Sequence, residues 1–244
     1  MALRSLATGA SAFSTFVQVL PRLPLLVRRM RPTWHLASLE ALSAEFLRAN
    51  DVRGLIWDVD GTLTGDRQAA LIPVAERPFR ALLAQPDLRH MVLSNAGEPR
   101  YRELGTMFPR VPILRAYTLG AEVLYRRLLG TADTWTEQEL AERLAQGARV
   151  IRKPSAVLVD YAVRELGVAK AHVAMIGDQY LTDVAGASLA GVRSVKLPTL
   201  APASFRLSVN VSQRLERIVY AVVHGHSEAG THGRTGAPAH GEPR

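Results

Sequence analysis

The sequence predicts an α/β protein, a three-layer sandwich on a mainly parallel central sheet without a large cap domain. Short apolar runs at 54–57, 90–93, 172–176 and 192–197 have strand length, and segments of helical periodicity separate them. Strands that alternate with helices imply a parallel sheet covered on both faces. Three of the runs end in polar clusters, Asp58-Val59-Asp60-Gly61-Thr62, Ser94-Asn95 and Gly177-Asp178-Gln179. In open parallel sheets ligands lie beyond the carboxyl ends of the strands. A chain of 244 residues is long enough for one such domain and too short for two large ones.

The elements follow in order. Residues 1–37 read as a basic, partly apolar arm. Arg4, Arg22, Arg28, Arg29 and Arg31 put +5 of the formal +8 there, with no acid before Glu40. Phe13, Phe16, Val17 and Leu20 fall on one helical face before Pro21 and Pro24 break the pattern. The uncharged stretch from Ser5 to Pro21 is too short and polar for a membrane span, which needs roughly 20 mostly apolar residues. No small-residue cleavage site follows to make it a secretory signal. Three readings of the arm stand: a segment docked on an anionic membrane surface, a disordered leader over residues 1–29, or sequence ahead of a true start at Met30.

The domain is expected over 38–223. A helix begins with Ser38 as N-cap and an apolar stripe of Leu39, Leu42, Phe46 and Leu47, ending near Asn50. Strand 54–57, a helix around 74–84, strand 90–93 and a helix from about 99 come next. An insert near 117–150 carries the capping box Thr136-Glu137-Gln138-Glu139 and a stop at Gly147. It reads as a surface helical hairpin or a small lid. A helix at 156–167, strand 172–176, a helix at 183–190 and strand 192–197 complete the sheet. Residues 224–244 are Gly, His, Pro and Ser with almost no apolar side chains, so a disordered tail is expected. His224, His226, His232 and His240 lie there, too irregularly spaced for a convincing metal site.

Cysteine is absent, which excludes disulfides, thiolate catalysis and cysteine zinc sites. The nucleophile must be an oxygen or nitrogen group. Asp58 and Asp60 are the first candidates, because carboxylates at the end of a buried strand persist only with a cation or donors to compensate them. Positions i and i+2 of an extended chain also share a face. Asp178 and Asp183 form a second acidic set behind the strand Val173-Ala174-Met175-Ile176. Asp-Gly turns and helix caps explain single acids, but not both sets.

Asp-x-Asp-Gly-Thr at 58–62, Ser94-Asn95, Lys153-Pro154 and Gly177-Asp178 through Asp183 resemble, in order, the motifs of the haloacid dehalogenase (HAD) superfamily of phosphatases. The resemblance implies a Rossmann-like domain in which Asp58 attacks phosphorus and Asp60 protonates the leaving group. Ser94, Asn95 and Lys153 bind the transferring phosphoryl. Magnesium is implied at Asp58 and Asp178, with the Asp60 carbonyl and with Asp183 as a more distant or water-mediated partner; a hard cation of this kind prefers few carboxylates and several waters.

Gly177-Asp178-Gln179-Tyr180-Leu181-Thr182-Asp183 is further similar to a class III-type group, the bacterial and mitochondrial phosphatidylglycerophosphate phosphatase-like proteins. Arg31-Pro32 ahead of motif one and Arg214-Leu215-Glu216-Arg217 near the end agree, so the resemblance spans roughly 30–220. Gly61 in place of Asn, a motif two poorer in Asn and the 117–150 insert depart from that group. The expected activity is hydrolysis of a phosphomonoester, with phosphatidylglycerophosphate the leading, lipid-linked substrate and a sugar phosphate or nucleotide the alternative. A non-catalytic phosphate- or RNA-binding scaffold is suggested only by the pI near 10.4. No aromatic-rich nucleic-acid motif accompanies it, so no nucleic-acid partner is expected. The expected location is cytoplasmic, peripheral at the membrane surface.

Overall fold

The computed structural model describes residues 23–205 and 207–225. In chain order the elements are α1 (Leu23–Arg28), β1 (Trp34–His35), α2 (Ala44–Ala49), β2 (Gly54–Trp57), α3 (Pro73–Leu83), β3 (Arg89–Leu93), α4 (Glu98–Met107), β4 (Ile113–Leu119), β5 (Glu122–Leu129), β6 (Ala132–Asp133), α5 (Glu137–Ala145), β7 (Arg149–Ile151), α6 (Ala156–Leu166), β8 (Val173–Gly177), α7 (Ala185–Ala190), β9 (Arg193–Lys196) and α8 (Leu207–His224). The strands form one sheet in the order β1-β9-β8-β2-β3-β4-β5-β6, with β7 also on β4. From β1 to β4 every pairing is parallel. This is the α/β fold with a mainly parallel sheet that the strand and helix alternation predicts.

Alternation along each strand builds two cores. Leu55, Trp57, Val92, Ala174 and Ile176 face Phe79 and Leu82 of α3, Tyr101 and Leu104 of α4 and Leu47 of α2. On the other side Ile56, Met91, Leu93, Val173 and Met175 meet Leu158, Val159, Ala162 and Leu166 of α6 and Ala187 of α7. Burying each such side chain contributes about 1.5–3 kcal/mol, so both helix layers are fixed to the sheet.

The helix expected from Ser38 begins later. Residues 38–43 turn without forming a helix, and α2 starts where the Ser43 hydroxyl accepts from the Phe46 N–H at 3.1 Å. Leu39 and Leu42 are buried from turns, so their apolar spacing reports burial and not helical period.

The 117–150 insert is neither a helical hairpin nor a lid. Tyr117 lies on β4, and β5, β6 and β7 extend the sheet in antiparallel fashion. Only α5 is helical, and Trp135, Leu140 and Ala148 pack onto Tyr117. The capping box forms as expected: Thr136 and Glu139 bond each other's backbone N–H, and Gly147 takes φ +94. Arg126, 1 % exposed, ties the insert to α4 by bonding Glu98 at 2.5 Å and Asp133 at 2.6 Å.

Residues 23–37, the described part of the expected arm, include α1, whose Leu26 packs with Met30, Tyr180, Val184 and Ala185. The Val27 carbonyl bonds His224 at the end of α8. Arg4, Arg22, Phe13, Phe16, Val17 and Leu20, and His226, His232 and His240 of the expected tail, lie outside the described residues. Among the described residues no helix is long and apolar enough to cross a membrane.

Candidate active site

β2 sits between β8 and β3, with Trp57 in register with Ile176 on one side and Val92 on the other. That register brings the residues after the three strands to one edge. Asp58 is locked there by its N–H, which donates to the Ile176 carbonyl at 2.9 Å.

Asp58, Asp178 and Asp183 are all buried and bring carboxylate oxygens within 4.8 Å of one another. Lys153, between β7 and α6, reaches into this group, its Nζ 2.5 Å from Asp58 Oδ1 and 2.6 Å from Asp183 Oδ1. Lys153 thus bonds two of the three carboxylates, and the charge of the buried Lys196 also acts on Asp178. Burial first, and then the Asp183 and Asp178 charges, hold the Asp58 carboxyl well above the usual carboxylate range, although Lys153 opposes the shift. Burial and Asp183 push Asp178 up to about 6. Burial also works against the Lys153 charge, but Asp183 and Asp58 outweigh it and raise its pKa.

The residues fit a divalent cation. Asp178 Oδ1 is buried with no hydrogen-bond partner, while Oδ2 accepts from Gln213 of α8 at 3.2 Å. An orphaned carboxylate oxygen beside two other buried carboxylates is the donor set a hard cation prefers. Gly61 helps to keep the space open. Its φ is +96, and a Cβ there would stand 2.6 Å from Asp178 Oδ2, which gives a local reason for glycine at this position.

Asp60 points elsewhere. Its Oδ1 accepts from Arg100 Nη2 at 2.9 Å, from the Thr64 hydroxyl at 3.2 Å and from the Arg67 N–H at 3.3 Å. The Asp60 side chain is therefore not one of the three grouped carboxylates. Arg100 also donates to the Gln68 carbonyl at 2.8 Å and pairs with Glu103. Ser94 accepts from the Ala96 N–H at 3.1 Å. Both ends of the Asn95 amide are engaged with the main chain of Lys153, at 2.8 and 3.1 Å.

Asp183 belongs to a π-helical turn, Tyr180–Val184, in place of the regular helix start expected at 183. Wide turns of this kind redirect side chains at functional sites. Its Oδ2 accepts from the Gln179 N–H at 3.1 Å. The buried Glu216 of α8 accepts from the N–H groups of Tyr180 and Leu181 at 3.1 and 3.3 Å. Arg100, Gln213 and Glu216 are the residues that sequence reasoning did not place at the site. Glu216 stood in a quoted pattern, but nothing in it marked the residue as buried. Arg100 looked like any helical arginine.

Residues 150–199 match the HAD-hydrolase-like family model. The matched stretch holds Lys153, Asp178 and Asp183, and it lacks Asp58, Asp60, Ser94 and Asn95. No curated protein matches the chain. Among solved structures, an uncharacterized protein from Listeria monocytogenes serotype 4b is similar at 17 % identity over 62 % of this chain and 88 % of that one, with a TM-score of 0.39. A 4-nitrophenylphosphatase from Thermotoga maritima is similar at 16 % identity over 62 % and 87 %, with a TM-score of 0.29. Likenesses this distant do not bear on activity.

Proposed function

We propose that this HAD-like hydrolase is a magnesium-dependent phosphomonoesterase that works through an aspartyl-phosphate on Asp58. The observation that carries the reading is the buried carboxylate trio, bridged by Lys153 and holding one Asp178 oxygen without a hydrogen-bond partner. Asp58 and Asp178 would hold the metal with the Asp60 carbonyl, and Asp183 would support it. When bound, magnesium neutralises phosphoryl oxygens and the charge of the nucleophile.

The chain's own residues do the rest. A carboxylate oxygen of Asp58 forms the bond to phosphorus as the ester oxygen leaves, and Asp60 gives that oxygen its proton. Asp60 then takes a proton from the water that attacks the acyl phosphate, which releases inorganic phosphate and regenerates Asp58. Lys153 holds charge on the phosphoryl oxygens, Ser94 can donate its hydroxyl hydrogen to them, and Asn95 acts through the placement of Lys153. Arg100 sets the direction of Asp60.

Phosphatidylglycerophosphate is the leading substrate. The chain places only a loop, α3 and β3 between Asp60 and Ser94, with no cap domain inserted there. Such a site suits a phosphate that projects from a large body, and the net charge of +8 suits an anionic surface where the protein would sit peripherally. A soluble sugar phosphate or nucleotide is the second reading, which the same lack of a cap domain between Asp60 and Ser94 also admits. The test is a panel of lipid and soluble phosphomonoesters assayed with and without magnesium. Turnover only of soluble esters would select the second reading, and no turnover of any ester with magnesium present would reject both.

A further inference from the structure

Helix α8 is apolar on both sides. Its inner edge packs Val219 and Tyr220 against Leu26, Met30 and Tyr180. Its outer edge exposes Leu215 at 50 %, Ile218 at 59 % and Val222 at 78 %, spaced i, i+3 and i+7 as one stripe, and Leu25 of the neighbouring α1 is 48 % exposed. A helix apolar on opposite faces is ordinarily covered on both, and a contiguous exposed stripe marks a docking face.

The charges beside it choose the occupant. Arg28 of α1, Arg29 and Arg31 just after it, and Arg214 of α8 are exposed. In residues 23–31 and 207–225 the one acid is Glu216, and it is buried against the Tyr180–Val184 turn. Every solvent-facing charge on these two segments whose side chain is described is thus basic. We propose that the outer face of α8, with the adjoining end of α1, docks on an anionic phospholipid bilayer, the apolar stripe entering the interface and the arginines meeting the headgroups. The same helix touches the site, since Gln213 bonds Asp178. Docking therefore holds the acidic cluster beside the membrane plane. The purpose of this rests on the reading of a lipid-linked substrate, and its residues are separate from the candidate arm at Phe13, Phe16, Val17 and Leu20.

The experiment is flotation of the full chain with phosphatidylcholine vesicles, with and without phosphatidylserine, which carries no phosphomonoester. Binding is expected only to the anionic vesicles, and it weakens as the Debye length falls from about 10 Å at 0.1 M to about 3 Å at 1 M salt. Ile218→Glu with Val222→Glu should reduce partitioning at least tenfold. Arg28→Ala and Arg214→Ala should each reduce it about fivefold. All variants should hydrolyse a soluble aryl phosphate as the unmodified chain does; should the double Glu variant fail to fold, Ile218→Ser with Val222→Ser serves in its place. Unchanged partitioning of a folded stripe variant overturns the proposal and moves binding elsewhere on the chain. Dimers that the stripe variant converts to monomers, without vesicle binding, also overturn it and make the face a contact between two copies. Intact vesicle binding without turnover of any lipid monoester would leave the docking face standing and reject only the lipid substrate.

Discussion

Asn95 grips Lys153 by its main chain, the side-chain oxygen taking the lysine N–H at 2.8 Å and the side-chain NH2 reaching the lysine carbonyl at 3.1 Å. The strand end at β3 thereby positions the cation that sits between Asp58 and Asp183. Each of these hydrogen bonds contributes about 1 kcal/mol net, so Asn95→Ala should lower stability by about 2 kcal/mol. Turnover should fall about tenfold to a hundredfold as Lys153 loses its placement. Asn95→Asp keeps the acceptor and should lose less. Denaturant titration and steady-state rates on an aryl phosphate check both, and an alanine variant with unchanged rate would remove the Asn95–Lys153 clamp from the mechanism.

Asp58→Asn should abolish turnover to the background of the assay, because an amide cannot form the acyl phosphate. It should not unfold the protein. Burial and the neighbouring acids already oppose ionisation of Asp58, so a neutral amide suits the site and leaves Lys153 paired with Asp183. Thermal melting without metal should show a midpoint equal to or above that of the unmodified chain. Fluoroberyllate should bind the unmodified chain and not the variant; retention by the variant would move the nucleophile off Asp58.

Asp60 and Arg100 form the second pair. Loss of the proton donor matters most where the leaving oxygen is a poor one, and general acid catalysis contributes about 10²–10⁴-fold. Asp60→Asn should therefore slow an alkyl phosphate about a hundredfold more than an activated aryl phosphate. Arg100→Ala should copy that selectivity in weaker form, since it loosens the 2.9 Å contact that aims the carboxylate. A uniform loss on both substrates for Asp60→Asn would make the residue structural.

The sheet and its acidic edge were legible because they rest on local rules. Leu55, Ile56 and Trp57 are buried on both faces of β2, a pattern that only a parallel sheet imposes, and Asp58, Asp178 and Lys153 stand at strand ends or the loop beside them. The insert was misread because its capping box is a helix signal and its strands are not amphipathic in the usual sense. Arg126 faces inward on β5 and is buried by pairing with Glu98 and Asp133, so alternation of apolar residues is missing where the strand is best fixed. Arg100 and Glu216 were invisible for the same reason. Whether a charged side chain is solvated or buried in a pair depends on residues far along the chain, such as Asp60 forty positions before Arg100.

Chelation should remove activity and magnesium should restore it. The metal should also raise the melting temperature, since it binds the folded cluster and not the dispersed carboxylates of the unfolded chain. The gain should be larger at pH 8 than at pH 5. Asp178 is pushed up to about 6 by burial and by Asp183, so at the lower pH the metal must displace its proton. Equal gains at both pH values, or activity in excess chelator, would rule out Asp178 as a ligand.

Glu216 gives the metal-free protein a pH dependence of definite sign. Burial, opposed by the Leu181 N–H and reinforced by Asp178 and Asp183, raises its carboxyl from an ordinary 4.5 to about 8. Between those values the folded chain keeps a proton that the unfolded chain has lost, so the contribution of Glu216 to stability is fully present below about 4.5 and is lost as pH rises toward 8. Asp178 adds the same trend up to about 6, and the raised Asp58 carboxyl adds to it in the same direction, so the share of Glu216 is read from its variant. In chelator the melting temperature should fall across the interval from about 6 to 8, by an amount on the order of a few kcal/mol in free energy. Glu216→Gln keeps an acceptor for the Tyr180 and Leu181 N–H groups and cannot ionise. It should match the unmodified chain at pH 5, exceed it at pH 8 and flatten the curve between 6 and 8. A melting temperature that rises through this interval in the unmodified chain, or a Gln variant with the same slope, would show that Glu216 is ionised in the folded state at neutral pH.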